Sequence, residues 1–155
     1  MVKIYYNVIA MLKYKILEHT ADLKVKVFGS DLEQLFANAG LAMMEFMYGK
    51  DIRYPLPPRL RRAGKISDIR EKISIQSKDV ESLLVDWLSE LLYLTDTNNL
   101  AYTKFDFKKL TETELKAEVF GQQAQAKEDI KAVTYHQLEV RKTKEGWEAI
   151  IVFDI

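Results

Sequence analysis

No cysteine occurs among the 155 residues. That absence excludes disulfide frameworks, thiolate zinc sites, iron–sulfur clusters and cysteine nucleophiles together, and it fits a reducing compartment. Net charge is missing as well. The 23 Lys and Arg residues balance 23 Asp and Glu, so no overall field draws the chain to a phosphate backbone. No apolar run approaches the roughly 18 residues that a membrane span requires. Histidine occurs only twice, as His19 and His136. There is no GxSxG, no P-loop, no GxGxxG and no HExxH, which removes the common signatures of serine hydrolases, phosphate-loop enzymes, dinucleotide binders and zinc proteases.

What is present describes a folded domain. Hydrophobic residues make up 48% of the chain and charged residues 30%, a balance that supports a globular core and excludes a disordered chain. A chain of this length fits one domain and buries roughly two-thirds of the surface it exposes when unfolded. The neutral total hides a split. Residues 1–77 carry 13 basic and 8 acidic side chains, and residues 78–155 carry 10 and 15. The opening segment Val2 to Leu12 is apolar and β-like, too short and too tyrosine-rich for a signal peptide. The expected location is the cytoplasm.

Hydrophobic periodicity predicts strands over 13–18 and 23–29, with His19-Thr20-Ala21-Asp22 between them. A helix follows, with Ser30 and Glu33 at capping-box spacing and an apolar face made by Leu32, Leu35, Phe36, Ala39, Met43 and Phe46. All three prolines fall in the long basic loop after Gly49, which could contact RNA or simply be solvated. A strand is predicted over 69–76. Asp79 then caps a second helix whose apolar positions run from Val80 through Leu83, Leu84, Trp87, Leu88, Leu91 and Leu92. Strands are predicted over 102–109, 114–120, 131–142 and 146–153, turning at Lys144-Glu145-Gly146. The expected fold is α+β: a single domain, two main helices packed on a largely antiparallel β-sheet, in the order ββαβαββββ.

Few residues carry chemistry. Each histidine sits in strand-like surroundings, where a structural hydrogen bond is the plainer role. Asp86 and Glu90 share a helix face four residues apart; they read as a solvated pair, with Asp86 open to a basic neighbour. The chain end differs. A core strand, Ile150 to Phe153, runs directly into Asp154-Ile155, so the Asp154 side chain and the Ile155 α-carboxylate stand side by side. Two carboxylates so close repel unless a cation or a basic side chain neutralises them, and hard oxygen donors suit Ca²⁺, Mg²⁺ or Mn²⁺. By spacing alone, a simple exposed terminus explains them as well.

Four blocks together resemble the archease family: His19-Thr20-Ala21-Asp22; Asp86 through Leu94 (DWLSELLYL); Ile130 through His136 (IKAVTYH); and the terminal Phe153-Asp154-Ile155. They occur in family order and cover nearly the whole chain from about Tyr14. The resemblance implies an archease-like domain over residues 13–155 preceded by an N-terminal extension, residues 1–12, with no family counterpart. It implies no catalysis of its own. The implied role is to activate an RtcB-type RNA ligase, which joins tRNA exons and broken RNAs, by promoting its Mn²⁺-dependent guanylylation and its repeated turnover. The ligase is then the partner, RNA is reached only through it, and no membrane is involved. The implied metal site consists of Asp22, Asp154 and the C-terminal Ile155, holding a divalent cation: Ca²⁺ in a crystal, or Mn²⁺ or Mg²⁺. Lys131 is implied in activation, and His19 supports the Asp22 loop. Two departures stand out: residues 120–129 are shorter than the family stretch, and Gln137 replaces a common glycine or other small residue. Competing readings are a metal-dependent phosphoesterase using Asp22 and Asp154, and a chaperone-like adaptor acting through an apolar surface.

Overall fold

The structure, a computed structural model, describes residues 13–53 and 69–155. Its elements are β1 (Tyr14–His19), β2 (Asp22–Gly29), α1 (Leu32–Tyr48), a 3₁₀ turn (Lys50–Arg53), β3 (Arg70–Gln76), α2 (Val80–Asn98), β4 (Leu100–Leu110), β5 (Glu114–Gln123), β6 (Ala132–Thr143) and β7 (Gly146–Asp154). The order is the expected ββαβαββββ. The proposed RNA-contacting loop falls mostly on residues 54–68, outside the described residues, as does the N-terminal extension.

The strands divide between two antiparallel sheets, where a single sheet was expected. One has the order β1-β2-β7-β6 and the other β3-β5-β4. Both helices contact both sheets: α1 packs on β2 and β4, and α2 packs on β6, β4 and β3. Each helix is therefore buried on more than one stripe. In α1 the buried set Leu35, Phe36, Ala39, Gly40, Ala42, Met43, Met44 and Met47 wraps most of the way round, wider than the face of a surface helix. Trp87 of α2 joins the layers. Its ring is fully buried and meets Phe105 edge-on at 5.2 Å, and its indole N–H donates to the Phe36 carbonyl of α1 at 3.0 Å.

The start of α1 lies one residue past the predicted cap. Asp31, not Ser30, is the N-cap; its Oδ1 accepts from the Gln34 N–H at 2.8 Å. Gln34 reaches back to accept from the Ser30 N–H at 3.2 Å, so the return bond of the cap goes to the residue before Asp31 and not to Asp31 itself. A carboxylate facing the positive helix end favours this frame over a serine hydroxyl. The Asp79 cap of α2 is as expected, accepting from the Ser82 N–H at 2.8 Å.

In the four-stranded sheet, alternation sends Leu23, Val25 and Val27 of β2 and Phe153, Ile151 and Ala149 of β7 to the helices, each buried to within a percent or so. The opposite face carries Lys24, Lys26, Glu148 and Ile150. Lys26 and Arg141 both pair with Glu148, at 3.5 and 3.0 Å. The β6–β7 turn needs Gly146: at φ 139° a Cβ there would lie 2.3 Å from the Gly29 carbonyl oxygen.

Candidate metal centre

Antiparallel register decides which residues meet at the end of the four-stranded sheet. β2 and β7 pair continuously from Gly29↔Trp147 to Asp22↔Asp154. The first residue of β2 therefore sits directly across from the last residue of β7. Residues so placed lie with Cα atoms about 4.5–5.5 Å apart and project side chains to the same face. Their neighbours Leu23 and Phe153 point into the core and are fully buried; Asp22 and Asp154 point away from it and are exposed. The sequence places the two aspartates 132 residues apart, and eight unbroken strand pairs bring them together.

The next residues complete this edge. Ile155 is half-buried and packs against the core cluster, which seats the tail beside Asp154. On the other flank Ala132 of β6 pairs with Asp154, and the Lys131 N–H donates to the Asp154 carbonyl at 2.7 Å. The Lys131 side chain is exposed. His19 closes β1 and pairs with Leu23, one residue past Asp22. The five positions singled out, Asp22, Asp154, Ile155, Lys131 and His19, thus lie at one end of one sheet.

The donor set suits a hard cation. Two carboxylates on adjacent strands, open to solvent, offer up to four oxygens to an ion that takes six to eight ligands with water filling the rest. Among the described residues no group of three or more His, Asp or Glu side chains gathers to hold a metal. The third ligand that the family resemblance implies is the main-chain carboxylate of Ile155.

Other candidates resolve differently. Asp86, read as one of a solvated pair, is half-buried and accepts from the Ser77 hydroxyl at 2.6 Å. His136 is exposed, and its N–H donates to Thr134 Oγ1 at 3.3 Å. Sequence reasoning missed an open pocket of about 400 Å³ at the C-terminal ends of both helices, lined by Tyr48, Thr95, Asp96, Lys127 and Asp129 among others. Burial, then the charge of Asp129, pushes the Asp96 carboxyl above its ordinary range. Burial, then Asp96, pushes the Tyr48 phenol up.

Comparison with known proteins gives the lineage. The profile of the archease protein family matches residues 14–155. The protein archease of Methanosarcina acetivorans is 40% identical over 153 residues, covering 92% of this chain and 96% of the relative. That of Pyrococcus abyssi is 30% identical, covering 94% and 100%. The solution structure of Methanobacterium thermoautotrophicum protein 1598 superposes with a TM-score of 0.70 at 27% identity, over 94% of this chain and all of the other. A Thermotoga maritima crystal structure, described as an archease and possible chaperone, shares the fold with a TM-score of 0.61 at 21% identity, over 91% and 96%. With the family profile spanning all but the first 13 residues and the two sheets and two helices matched in solved relatives, this chain belongs to the archease family.

Proposed function

We propose that this chain is a non-enzymatic activator of an RtcB-type RNA ligase, acting in the cytoplasm on tRNA splicing and RNA repair. The observation that supports this most is the register pair Asp22↔Asp154, which makes one end of the sheet a carboxylate cluster open to solvent. Asp22, Asp154 and the Ile155 carboxylate would hold a divalent cation, Mn²⁺, Mg²⁺ or Ca²⁺, whose charge would offset theirs and could complement a phosphate or a ligase side chain. Lys131, tied by its backbone to Asp154, adds a cationic side chain beside the acidic one. His19, at the end of β1, would support the turn that leads into Asp22. The chain's own part is to present this end to the ligase's guanylylation pocket.

The test is a guanylylation assay with the cognate ligase, GTP and Mn²⁺. Wild-type protein is expected to raise the rate of ligase–GMP formation. Asp154→Ala, or one residue added after Ile155, should abolish that rise while thermal unfolding stays within a few degrees of wild type. Full stimulation by either variant sinks the proposal. The phosphoesterase reading predicts turnover of phosphoester substrates by the protein and Mn²⁺ without ligase. A chaperone-like adaptor predicts that both tail variants act as wild type while changes to exposed apolar residues do harm.

A further inference from the structure

Both edge strands of the four-stranded sheet are interrupted at the same level, and each interruption displays an apolar side chain. In β1 the register passes from Ile16↔Val25 to Glu18↔Lys24, so Leu17 is an extra residue with no partner on β2. In β6 the register passes from Thr134↔Val152 to Glu139↔Ile150, so Tyr135, His136, Gln137 and Leu138 lie opposite Ile151 alone. Because Val25 pairs with Ile151 and Lys24 with Val152, the two bulges occupy the same two rows at opposite edges. They sit two to three residue pairs behind the Asp22–Asp154 row. Leu17 is 40% exposed, Ile16 50% and Tyr135 59%.

A bulge at a sheet edge has an ordinary use, which is to stop another strand from adding on. That use calls for charge, proline or a twist and gives no reason to expose leucine and tyrosine. The β6 bulge is also fixed firmly. Thr134 Oγ1 donates to the Val152 carbonyl at 2.8 Å and accepts from the His136 N–H. Leu138 packs on the core, and Gln137 is held at φ 54°, a conformation that costs a non-glycine residue free energy. Strain retained beside a candidate site is a pointer to use. Tyrosine is also among the side chains enriched at the hot spots of protein interfaces, and it loses little entropy when buried.

From this juxtaposition we infer that Tyr135 on one edge and Leu17 on the other are paired anchors that seat the acidic sheet end in a cleft of its protein partner. The inference rests on the ligase-activator reading above and specifies its contact. Four strands at about 4.8 Å spacing put the anchors roughly 14 Å apart, so the cleft is about that wide. Its walls are apolar where they meet the anchors, and its floor is cationic where it meets Asp22 and Asp154. Anchoring and activation then belong to different residues.

The experiment titrates the full chain into the ligase with GTP and Mn²⁺, recording the concentration for half-maximal guanylylation and the plateau separately. Tyr135→Ala should raise the half-maximal concentration at least tenfold, Leu17→Ser about threefold, and the double variant about thirtyfold or more; saturating protein should recover the wild-type plateau. Asp154→Ala should instead lower the plateau. Leu17→Lys and Tyr135→Ser serve as second variants, with circular dichroism melts to confirm folding. Half-maximal concentrations within twofold of wild type, or a lowered plateau at an unchanged half-maximal concentration, overturn the anchors while leaving the activator reading intact. If Tyr135→Ala weakens binding to a labelled RNA but titrates the ligase as wild type does, the anchor is likewise overturned. No stimulation by the wild-type chain removes the activator reading and the anchors with it.

Discussion

Gln137 holds its backbone at φ 54°, in the left-handed region where a side chain crowds the following carbonyl and costs about 1–2 kcal/mol. The residue is exposed, so little packing offsets that cost. Gln137→Gly should relieve it, less the extra freedom glycine has in the unfolded chain, for a net gain of about 0.5–1 kcal/mol. In a protein of this size that is a rise of about 1–4 °C in melting temperature, measurable by calorimetry. A fall would mean that the glutamine side chain makes contacts that outweigh the strain. The position was legible in the sequence as a departure from a family pattern that places a small residue there. What the sequence concealed was the cause, because a bulge is set by register with β7 and leaves no local mark. Leu17 was hidden for a related reason: it breaks the alternation of Tyr14 and Ile16, but one extra apolar residue near a strand end does not say that a bulge lies there.

Among the secondary-structure elements, the helix ends show where local rules suffice and where they do not. The Asp79 cap of α2 was plain because one good capping residue precedes its apolar run. At α1 two candidates, Ser30 and Asp31, stand side by side, and a one-residue choice lies within the reach of end fraying and cap competition. The far end of α2 is less well made. It has no basic residue in its last turn, and Asp96 there faces the negative end of the helix dipole. Burial first, and then the charge of Asp129, raises its carboxyl pKa from 3.8. A raised carboxyl penalises the folded anion at all pH above its folded value, and the penalty fades as pH falls through that value and the group protonates. Asp96→Asn should therefore stabilise the protein at pH 7 by about 0.3–1 kcal/mol, the small size reflecting its exposure to solvent and salt. The gain should shrink as pH falls through the raised value and be largely lost below the ordinary value of 3.8. Denaturant melts at pH 7 and pH 3.5 would show it; an equal gain at both would assign the effect to something other than charge.

For the whole molecule, the decisive fact is that the sheet is read from both ends of the chain. The alternation of β2 and β7 was visible in the sequence; their pairing was not, because nothing within either strand says which of the other six described strands will be its neighbour. That is why the expected single sheet proved to be two, and why Asp22 and Asp154 could be joined beforehand only through family resemblance. Once the register is known, an energetic consequence follows for the entire fold. Two exposed carboxylates on adjacent strands repel, and a bound cation would turn that repulsion into a clasp between β2 and the chain end. A ligand that binds only the folded state stabilises it by mass action, by about 2.7 kcal/mol at a hundredfold excess over its Kd, or about 5–10 °C in melting temperature here. Mn²⁺ or Ca²⁺ added to metal-stripped protein should raise the wild-type melting temperature by several degrees, and a chelator should reverse it. Asp22→Asn should invert the pattern: without metal it should melt no lower than wild type, since one of two like charges is gone, and it should lose at least half of the metal-induced shift. An undiminished shift in Asp22→Asn would place the cation elsewhere and separate the sheet end from any metal-dependent role.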